Sequence, residues 1–563
     1  VTPRRALPLA TALSVGLVVV GGALADPTTW LAGQANVDAW GSWWFQWWVA
    51  FALGDGRSPM HSDMLFYPWG KDILRHTGGN ILDVVAVLPV RWLLGPHVAW
   101  NALVFTAVAT NAWVAGRWAR RLGAGLAVVL VVELLVGLHP FVLNELRLGR
   151  PTQAILAPLL LALAYGDDAL RTGDRRATAL SAILLALTGW IYWYAASFAA
   201  IALGVLALAG PMKKADDAPG LARRLGVYVA IGLGSFVLTS PLVIPLGLSL
   251  LRGDVPGLLP LGQWLVGVQD FTTAEGTAVH ISTLGPTGGA GLLSAKGWAQ
   301  TGFVLGIATT VPLLLAPRRW MAVGLVSLAI AAGPFPLGIQ NPVYLAFVEA
   351  LSPFERLYWP VRSVAVLVGV AVVGLVALER LPARLRTGAL VGLVVVGIGE
   401  PILRDGLPIG RWKIEIPPEL DCLEGAGMLL PYGADQEPLV WQTLHESPML
   451  NGMAERSRSL VPAEQQAFRA DNTWVSAVLY APSNPRAERA WTEDDKAAAY
   501  DLGYRWVVLR RQELLEEGSR ASKTGRLRDA VRALRPLLGA PVRETDAVLI
   551  FAPWGGLEAC RAP

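Results

Sequence analysis

The sequence predicts a polytopic α-helical membrane protein with about eleven membrane-spanning helices and a soluble C-terminal α/β or α+β domain outside the cytoplasm. Composition and the pattern of loop charges support this. The 563-residue chain is 53% hydrophobic and only 16% charged, against about 25% charged in an ordinary soluble domain. The deficit falls in residues 1–404, read as the membrane domain. Residues 405–563 have ordinary soluble composition and are read as a separate exterior domain.

A span needs about 20 mostly apolar residues. Runs of that kind lie at 6–25, 98–117, 124–140, 151–167, 177–190, 191–210, 225–250, 301–317, 319–337, 361–379 and 385–401. The first resembles a signal peptide, with Arg4-Arg5 before it and Ala23-Leu24-Ala25 after it. Because further spans follow, it is expected to be an uncleaved helix. The fifth and sixth runs are divided at Thr188-Gly189-Trp190, and Tyr192, Trp193 and Tyr194 read as an interfacial aromatic belt.

The loop charges fix an orientation. Arg117, Arg120 and Arg121 fall in one loop, Arg171, Arg175 and Arg176 in the next on the same side, then Lys213, Lys214, Arg223 and Arg224. Arg318 with Arg319, and Arg380, Arg384 and Arg386, complete the series. Every loop on that side is basic, as the positive-inside rule requires. The basic residues therefore report on the membrane and not on nucleic acid. The expected topology is N-terminus inside and C-terminal domain outside a bacterial cytoplasmic membrane. An excess of Arg over Lys and a Val at position 1 fit a GC-rich bacterial reading frame.

Two exterior loops are long, about residues 26–97 and 252–300, and long loops tend to be functional. In the first, Trp43 to Leu53 is a Trp-rich run too short to span, expected to lie along the outer leaflet. A second such run, Ile81 to Leu94, is interrupted by Asp83 and Arg91. Asp38 opens the Trp-rich run. A carboxylate there suits hard-cation coordination or general-base chemistry, and helix capping is the competing reading. Asp63 lies in the turn sequence leading to Tyr67-Pro68-Trp69-Gly70. His61 and His76 lack the spacing of a zinc site.

The next exterior loop holds Glu145, Arg147 and Arg150 at the membrane surface, where ionisable groups are costly unless paired or functional. Its arginines suit phosphate oxygens, and an internal Glu–Arg pair is the alternative. Arg356 and Arg362 flank the start of the tenth span and suit a lipid phosphate or simple snorkelling. His280 lies in the second long loop with Gln269, Asp270 and Glu275. Phosphate-loop, nucleophile-elbow, kinase and CxxC signatures are missing. The two cysteines, Cys422 and Cys560, both fall in the exterior domain and are expected to close it as a disulfide.

Three stretches together resemble the GT-C superfamily of polyprenyl-phosphate-sugar-dependent membrane glycosyltransferases. They are Asp38 to Trp48 with Asp63 to Gly70 and Leu94-Gly95-Pro96 to Asn101; Phe354, Arg356 and Pro360-Val361-Arg362; and Leu430-Pro431, Trp441-Gln442-Thr443-Leu444-His445, Asn451-Gly452 and Ser457-Arg458. The resemblance implies a GT-C-like helical bundle with catalytic acids in the first two exterior loops, the positions of Asp38 and Glu145. It implies a polyprenyl-phosphate-linked sugar donor, a glycan, lipid or protein acceptor, and a divalent cation, Mg or Mn, on those acids. Asp63, Arg147, Arg150, Arg356, Arg362 and His280 would bind substrate. Val37 stands where one branch of the superfamily has a second acid beside Asp38, which bears on metal use. Two other classes compete: a transporter or flippase of a lipid-linked glycan, which would use Glu133 of the third span, and a cell-envelope assembly protein acting through the exterior domain.

Overall fold

The computed structural model describes residues 3–74, 81–210, 220–251, 307–333, 341, 342, 344, 360–432, 437–452, 461–485, 489–511 and 520–560. The chain forms two compact units, one of Val1–Ala35 with Thr77–Lys413 and the other of Asn36–His76 with Ile414–Pro563.

The first unit is a helical bundle. It holds α1 (Pro3–Leu24) and, after α2 (Val37–Gly54) of the other unit, α3 (Leu82–Leu94), α4 (Pro96–Arg121), α5 (Leu126–Gly137), α6 (Pro140–Arg147) and α7 (Pro151–Ala154). There follow α8 (Ala157–Thr172), α9 (Arg175–Ala209), α10 (Leu221–Leu251), α11 (Ile307–Leu315), α12 (Arg318–Ala331), α13 (Val364–Val376) and α14 (Ala383–Asp405). Among the described residues, eight helices are long and apolar enough to cross a membrane. The spans expected at 301–317 and 319–337 are described only at Ile307–Leu315 and Arg318–Ala331.

The pair expected at 177–190 and 191–210 forms the two helical arms of α9, and the chain doubles back between them. Tyr192 is extended, with φ −155° and ψ 99°. Gly166 on α8 faces both Ser181 and Leu203, and Ser181 Oγ donates to the Ala162 carbonyl at 2.9 Å. On a straight helix those two α9 residues would stand about 33 Å apart. The reversal falls at Tyr192 and not at Thr188-Gly189-Trp190, because Gly189 remains inside the helix, packed against Thr239. Tyr192 is buried, so the expected aromatic belt is only partly at the surface.

A short antiparallel pair, β1 (Leu31–Ala32) with the later strand Arg411–Trp412, joins the end of the first span to the exit of the last. Asn101 holds it: its Oδ1 accepts from Ala32 N at 2.9 Å and its Nδ2 donates to the Trp30 carbonyl at 2.8 Å.

The second unit is discontinuous in sequence. Residues His61–Ser62 and Lys71–Asp72 pair as a short hairpin, β2 and β3; Arg411–Trp412 is β4. The sheet of this unit has the order β5-β6-β8-β7, built from Ala426–Leu430, Tyr504–Arg510, Arg543–Glu544 and Val548–Phe551. Strands β5 and β6 are parallel, and β6–β8 and β8–β7 are antiparallel. The strands read as near-continuous apolar runs because both faces are covered; β5 and β8 are buried throughout.

Loop 36–76 enters this unit through polar side chains acting as backbone. Gln442 Oε1 accepts from Trp44 Nε1 at 2.7 Å while its Nε2 donates to the Met64 carbonyl at 2.8 Å. Asn451 makes a two-way bond with the backbone of Leu429, at 2.8 and 2.9 Å, and its carbonyl accepts from Phe66 N at 3.1 Å. Gly452 lies against the Phe66 ring, where a Cβ would collide. Consequently Trp43, Trp44, Trp47 and Trp48 are each at most 5% exposed. The outer-leaflet placement expected for this run is corrected: the tryptophans pack inside the unit, Trp44 on Trp48 with centroids 5.9 Å apart. Cys422 and Cys560 form a disulfide. His445, buried edge-on to Trp506, has its Nδ1 accepting from Ser447 N at 3.0 Å, and burial pushes its pKa down to about 3.

Candidate functional site

The main polar cluster of the helical unit forms where α6 ends and α7 begins. His139 starts α6 by accepting from Phe141 N with Nδ1 at 3.2 Å, and Pro140 takes the first helical position, where its missing N–H costs nothing. Glu145 lies in the last turn. Gly149, at φ +70°, turns the chain back through a conformation that side-chain-bearing residues avoid. Arg150 N then donates to the Glu145 carbonyl at 2.9 Å, and Arg150 Nε lies 2.7 Å from Glu145 Oε2.

Arg362 arrives from the 3-10 turn Pro360–Ser363 that precedes α13. Its Nε is 3.9 Å from Glu145 Oε1 and its Nη1 donates to the Tyr192 hydroxyl at 2.8 Å. The doubling-back of α9 therefore delivers Tyr192 to this cluster. Glu145 is fully buried, and Arg150, Arg362 and Tyr192 are each at most 8% exposed. One carboxylate thus stands between two guanidiniums inside the protein. Buried charges are tolerated when paired, and the planar guanidinium matches phosphate oxygens.

A second carboxylate is tied to the same short helix. Thr152 on α7 donates from Oγ1 to Asp83 Oδ2 at 2.6 Å. Asp83 stands in the first turn of α3, 3% exposed, and its Oδ1 has no hydrogen-bond partner among the described residues. Burial pushes its pKa up to about 6, only partly offset by the Thr152 hydroxyl.

Of the residues expected from sequence, Glu145, Arg150 and Arg362 come together. Arg147 ends α6, its carbonyl accepting from Gln34 N at 2.9 Å. Asp38 and Asp63 belong to the other unit. Asp38 is exposed in the first turn of α2, and the capping role falls instead to Asn36, whose Oδ1 accepts from Asp38 N and Ala39 N at 2.9 and 3.1 Å. Asp63 accepts from Arg57 at 2.9 and 3.1 Å, and Arg57 also covers the Phe51 ring at 5.0 Å. Arg356 and His280 lie outside the described residues.

The donor set fits a divalent cation poorly. Glu145 already faces two guanidiniums, and no three His, Cys, Asp or Glu side chains converge among the described residues. Asp83, Thr152 and Tyr192 were not singled out by sequence as site residues. A carboxylate interrupting the apolar run Ile81–Leu94 was the one available signal for them.

No protein-family model and no curated protein matches the sequence. Solved structures do match in fold. The arabinofuranosyltransferase AftD from Mycobacteria superposes with a TM-score of 0.55 at 17% identity, over 99% of this chain and 40% of that one. The Archaeoglobus fulgidus oligosaccharyltransferase, solved in complex with Zn and sulfate, superposes with a TM-score of 0.50 at 11% identity, over 90% of this chain and 68% of that one. The chain thus spans less than half the length of the arabinofuranosyltransferase.

Proposed function

We propose that this chain, which has the multi-pass GT-C fold of membrane glycosyltransferases, transfers a sugar from a polyprenyl-phosphate carrier to a hydroxyl-bearing glycan, lipid or protein at the outer face of the cytoplasmic membrane. The observation that carries this reading is the buried cluster of Glu145, Arg150, Arg362 and Tyr192, which holds two guanidiniums on one carboxylate. In the reaction, the acceptor oxygen bonds to the anomeric carbon as the bond from that carbon to the phosphate oxygen breaks. The electron pair leaves with the carrier phosphate, and the hydroxyl proton passes to a carboxylate. Arg150 and Arg362 hold the phosphate and stabilise the charge it gains, the kind of prearranged electrostatics that contributes most to such steps. Glu145 orients both guanidiniums, and Tyr192 fixes Arg362.

From its sequence position near the start of the first exterior loop, Asp38 is one candidate for the base. A second reading of the base rests on Asp83, whose pKa near 6 suits proton acceptance at neutral pH. The test is mass analysis of lipid extracts from a deletion strain complemented with wild type, Asp38→Asn, Asp83→Asn or Arg150→Gln. A polyprenyl-phosphate sugar is expected to accumulate in the deletion and with Arg150→Gln, and to clear with wild type. Whichever aspartate variant fails to clear it names the base. Absence of any accumulating carrier-linked sugar in the deletion strain refutes the donor class.

A further inference from the structure

A side chain of α4 holds the break between α7 and α8. Helix α7 has four residues, and the chain then passes through Ile155, at φ −80° and ψ 94°, before α8 begins at Ala157. A break of this kind leaves the last carbonyls of one helix and the first amides of the next without helical partners. Ala154 and Leu156 are both fully buried, so their backbone groups need partners from the protein.

Asn111, inside α4 and fully buried, meets both needs. Its Nδ2 donates to the Ala154 carbonyl at 2.7 Å, and its Oδ1 accepts from Leu156 N at 2.8 Å. The two bonds require a donor and an acceptor on one planar group, which asparagine carries and an ionised aspartate does not. The side-chain amide thus takes the place of a peptide unit across the break.

Helix α7 is short enough for this anchor to govern its other end. At 1.5 Å of rise per residue, Arg150 lies only about 6 Å along the axis from Ala154. There the chain enters through the reversal at Gly149, and Arg150 N is tied to the Glu145 carbonyl. Thr152, between the two ends, is tied to Asp83. Asn111 fixes the far end to α4, a helix of 26 residues long and apolar enough to cross the membrane. We propose that Asn111 is a positioning residue for the transfer reaction, setting where α7 presents Arg150 to the carrier phosphate. The assignment rests on the reading of Arg150 given above. Asn101, earlier on α4, makes the same kind of paired contact with Ala32 N and the Trp30 carbonyl. It is the matched control, because residues 30–32 contribute no side chain to the cluster.

The test follows clearance of the carrier-linked sugar that accumulates in the deletion strain while full-length variants are induced. Rates are expressed per folded chain, the folded amount being read from thermal melting of the purified protein. Asn111→Gln keeps the donor and the acceptor but pushes the break away from α4 by about a methylene. A misplacement of about 1 Å costs about a hundredfold in rate, so clearance should slow by about that factor, while Asn101→Gln stays within about twofold of wild type. A role confined to satisfying buried groups would leave the Asn111→Gln rate unchanged, because the amide is retained. That result overturns the proposal, as does an equal loss of rate in Asn101→Gln. If Asn111→Gln yields no folded chain, Asn111→Ser, which leaves the break unheld without adding volume, carries the same expectation and the same refutation. Absence of any accumulating carrier-linked sugar in the deletion strain refutes the donor class and this assignment with it. Normal clearance by both wild type and Asn111→Gln refutes this assignment alone.

Discussion

Replacing Asp83 by Asn is expected to make the protein more stable at neutral pH. The carboxyl is buried, accepts one hydrogen bond from Thr152, and has a pKa near 6 against an ordinary 3.8. A folded-state pKa raised in this way favours folding below the unfolded value and loses that advantage as pH rises through the folded one. The difference of about 2.2 units, at 1.36 kcal/mol each, amounts to about 3 kcal/mol of stability forgone above pH 7. At pH 5 the cost is about half as large, because the folded carboxyl is then mostly protonated. Asn has nearly the same shape, keeps an oxygen for the Thr152 hydroxyl, and carries no charge to desolvate. At roughly 2 °C per kcal/mol for a large domain, Asp83→Asn should melt about 6 °C higher at pH 7.5 in detergent, and about 3 °C higher at pH 5. A variant no more stable than wild type at pH 7.5 would refute the reasoning, as would a gain that is the same at both pH values. If Asp83 is also the base, the gain comes with lost transfer, the trade-off expected where a site holds a strained charge.

Other perturbations move stability the opposite way. Glu145→Gln leaves two buried guanidiniums without their carboxylate and should destabilise by about 3–5 kcal/mol, read as a lowered melting temperature whose deficit shrinks when Arg150→Gln is added. His445 is buried and neutral, with its pKa pushed down to about 3 from 6.5. The unfolded chain therefore binds a proton that the folded chain rejects, and stability falls as pH drops below 6.5. By pH 5 the loss is about 2 kcal/mol, measurable as faster hydrogen exchange in β6 after correction for intrinsic rates, and absent in His445→Gln.

The membrane fold was legible because its signal is cumulative. Each span is a run of about 20 apolar residues, and such runs recur along the first 400 residues. The cluster at Glu145 was legible in part, since ionisable residues beside spans stand out against apolar neighbours. Tyr192 was not. Its aromatic neighbours Trp193 and Tyr194 look like an interfacial belt, and only the reversal of α9 shows that its hydroxyl turns inward to Arg362. Asp83 was visible as an interruption but not as a site residue, because its partner Thr152 lies 69 residues away. The Trp run of α2 misled for a general reason. An apolar, Trp-rich helix has the same composition whether it lies on lipid or packs inside a protein, and the deciding contacts come from Gln442, 398 residues from Trp44.

That long-range pairing changes where the second unit begins. Loop 36–76 shares a unit with Ile414–Pro563, so a fragment beginning at residue 414 lacks α2 and the hairpin β2–β3. In that fragment Gln442 loses both Trp44 Nε1 and the Met64 carbonyl, and Asn451 loses its Phe66 amide. The apolar surface that received the tryptophans is also laid bare. A buried tryptophan removes on the order of 200 Å² from water, worth about 5 kcal/mol at 25 cal/mol per Å². Part of that burial is ring against ring within α2, and the part made against residues 414–563 is still a sizeable share of the roughly 5–15 kcal/mol by which a domain is stable at all. Residues 414–563 expressed alone should therefore lack a cooperative thermal transition and near-ultraviolet dichroism. The same segment joined by a flexible linker to residues 36–76 should recover both. A cooperative, equally stable transition in the isolated segment would refute this division, and would allow residues 414–563 to act without the loop that carries Asp38.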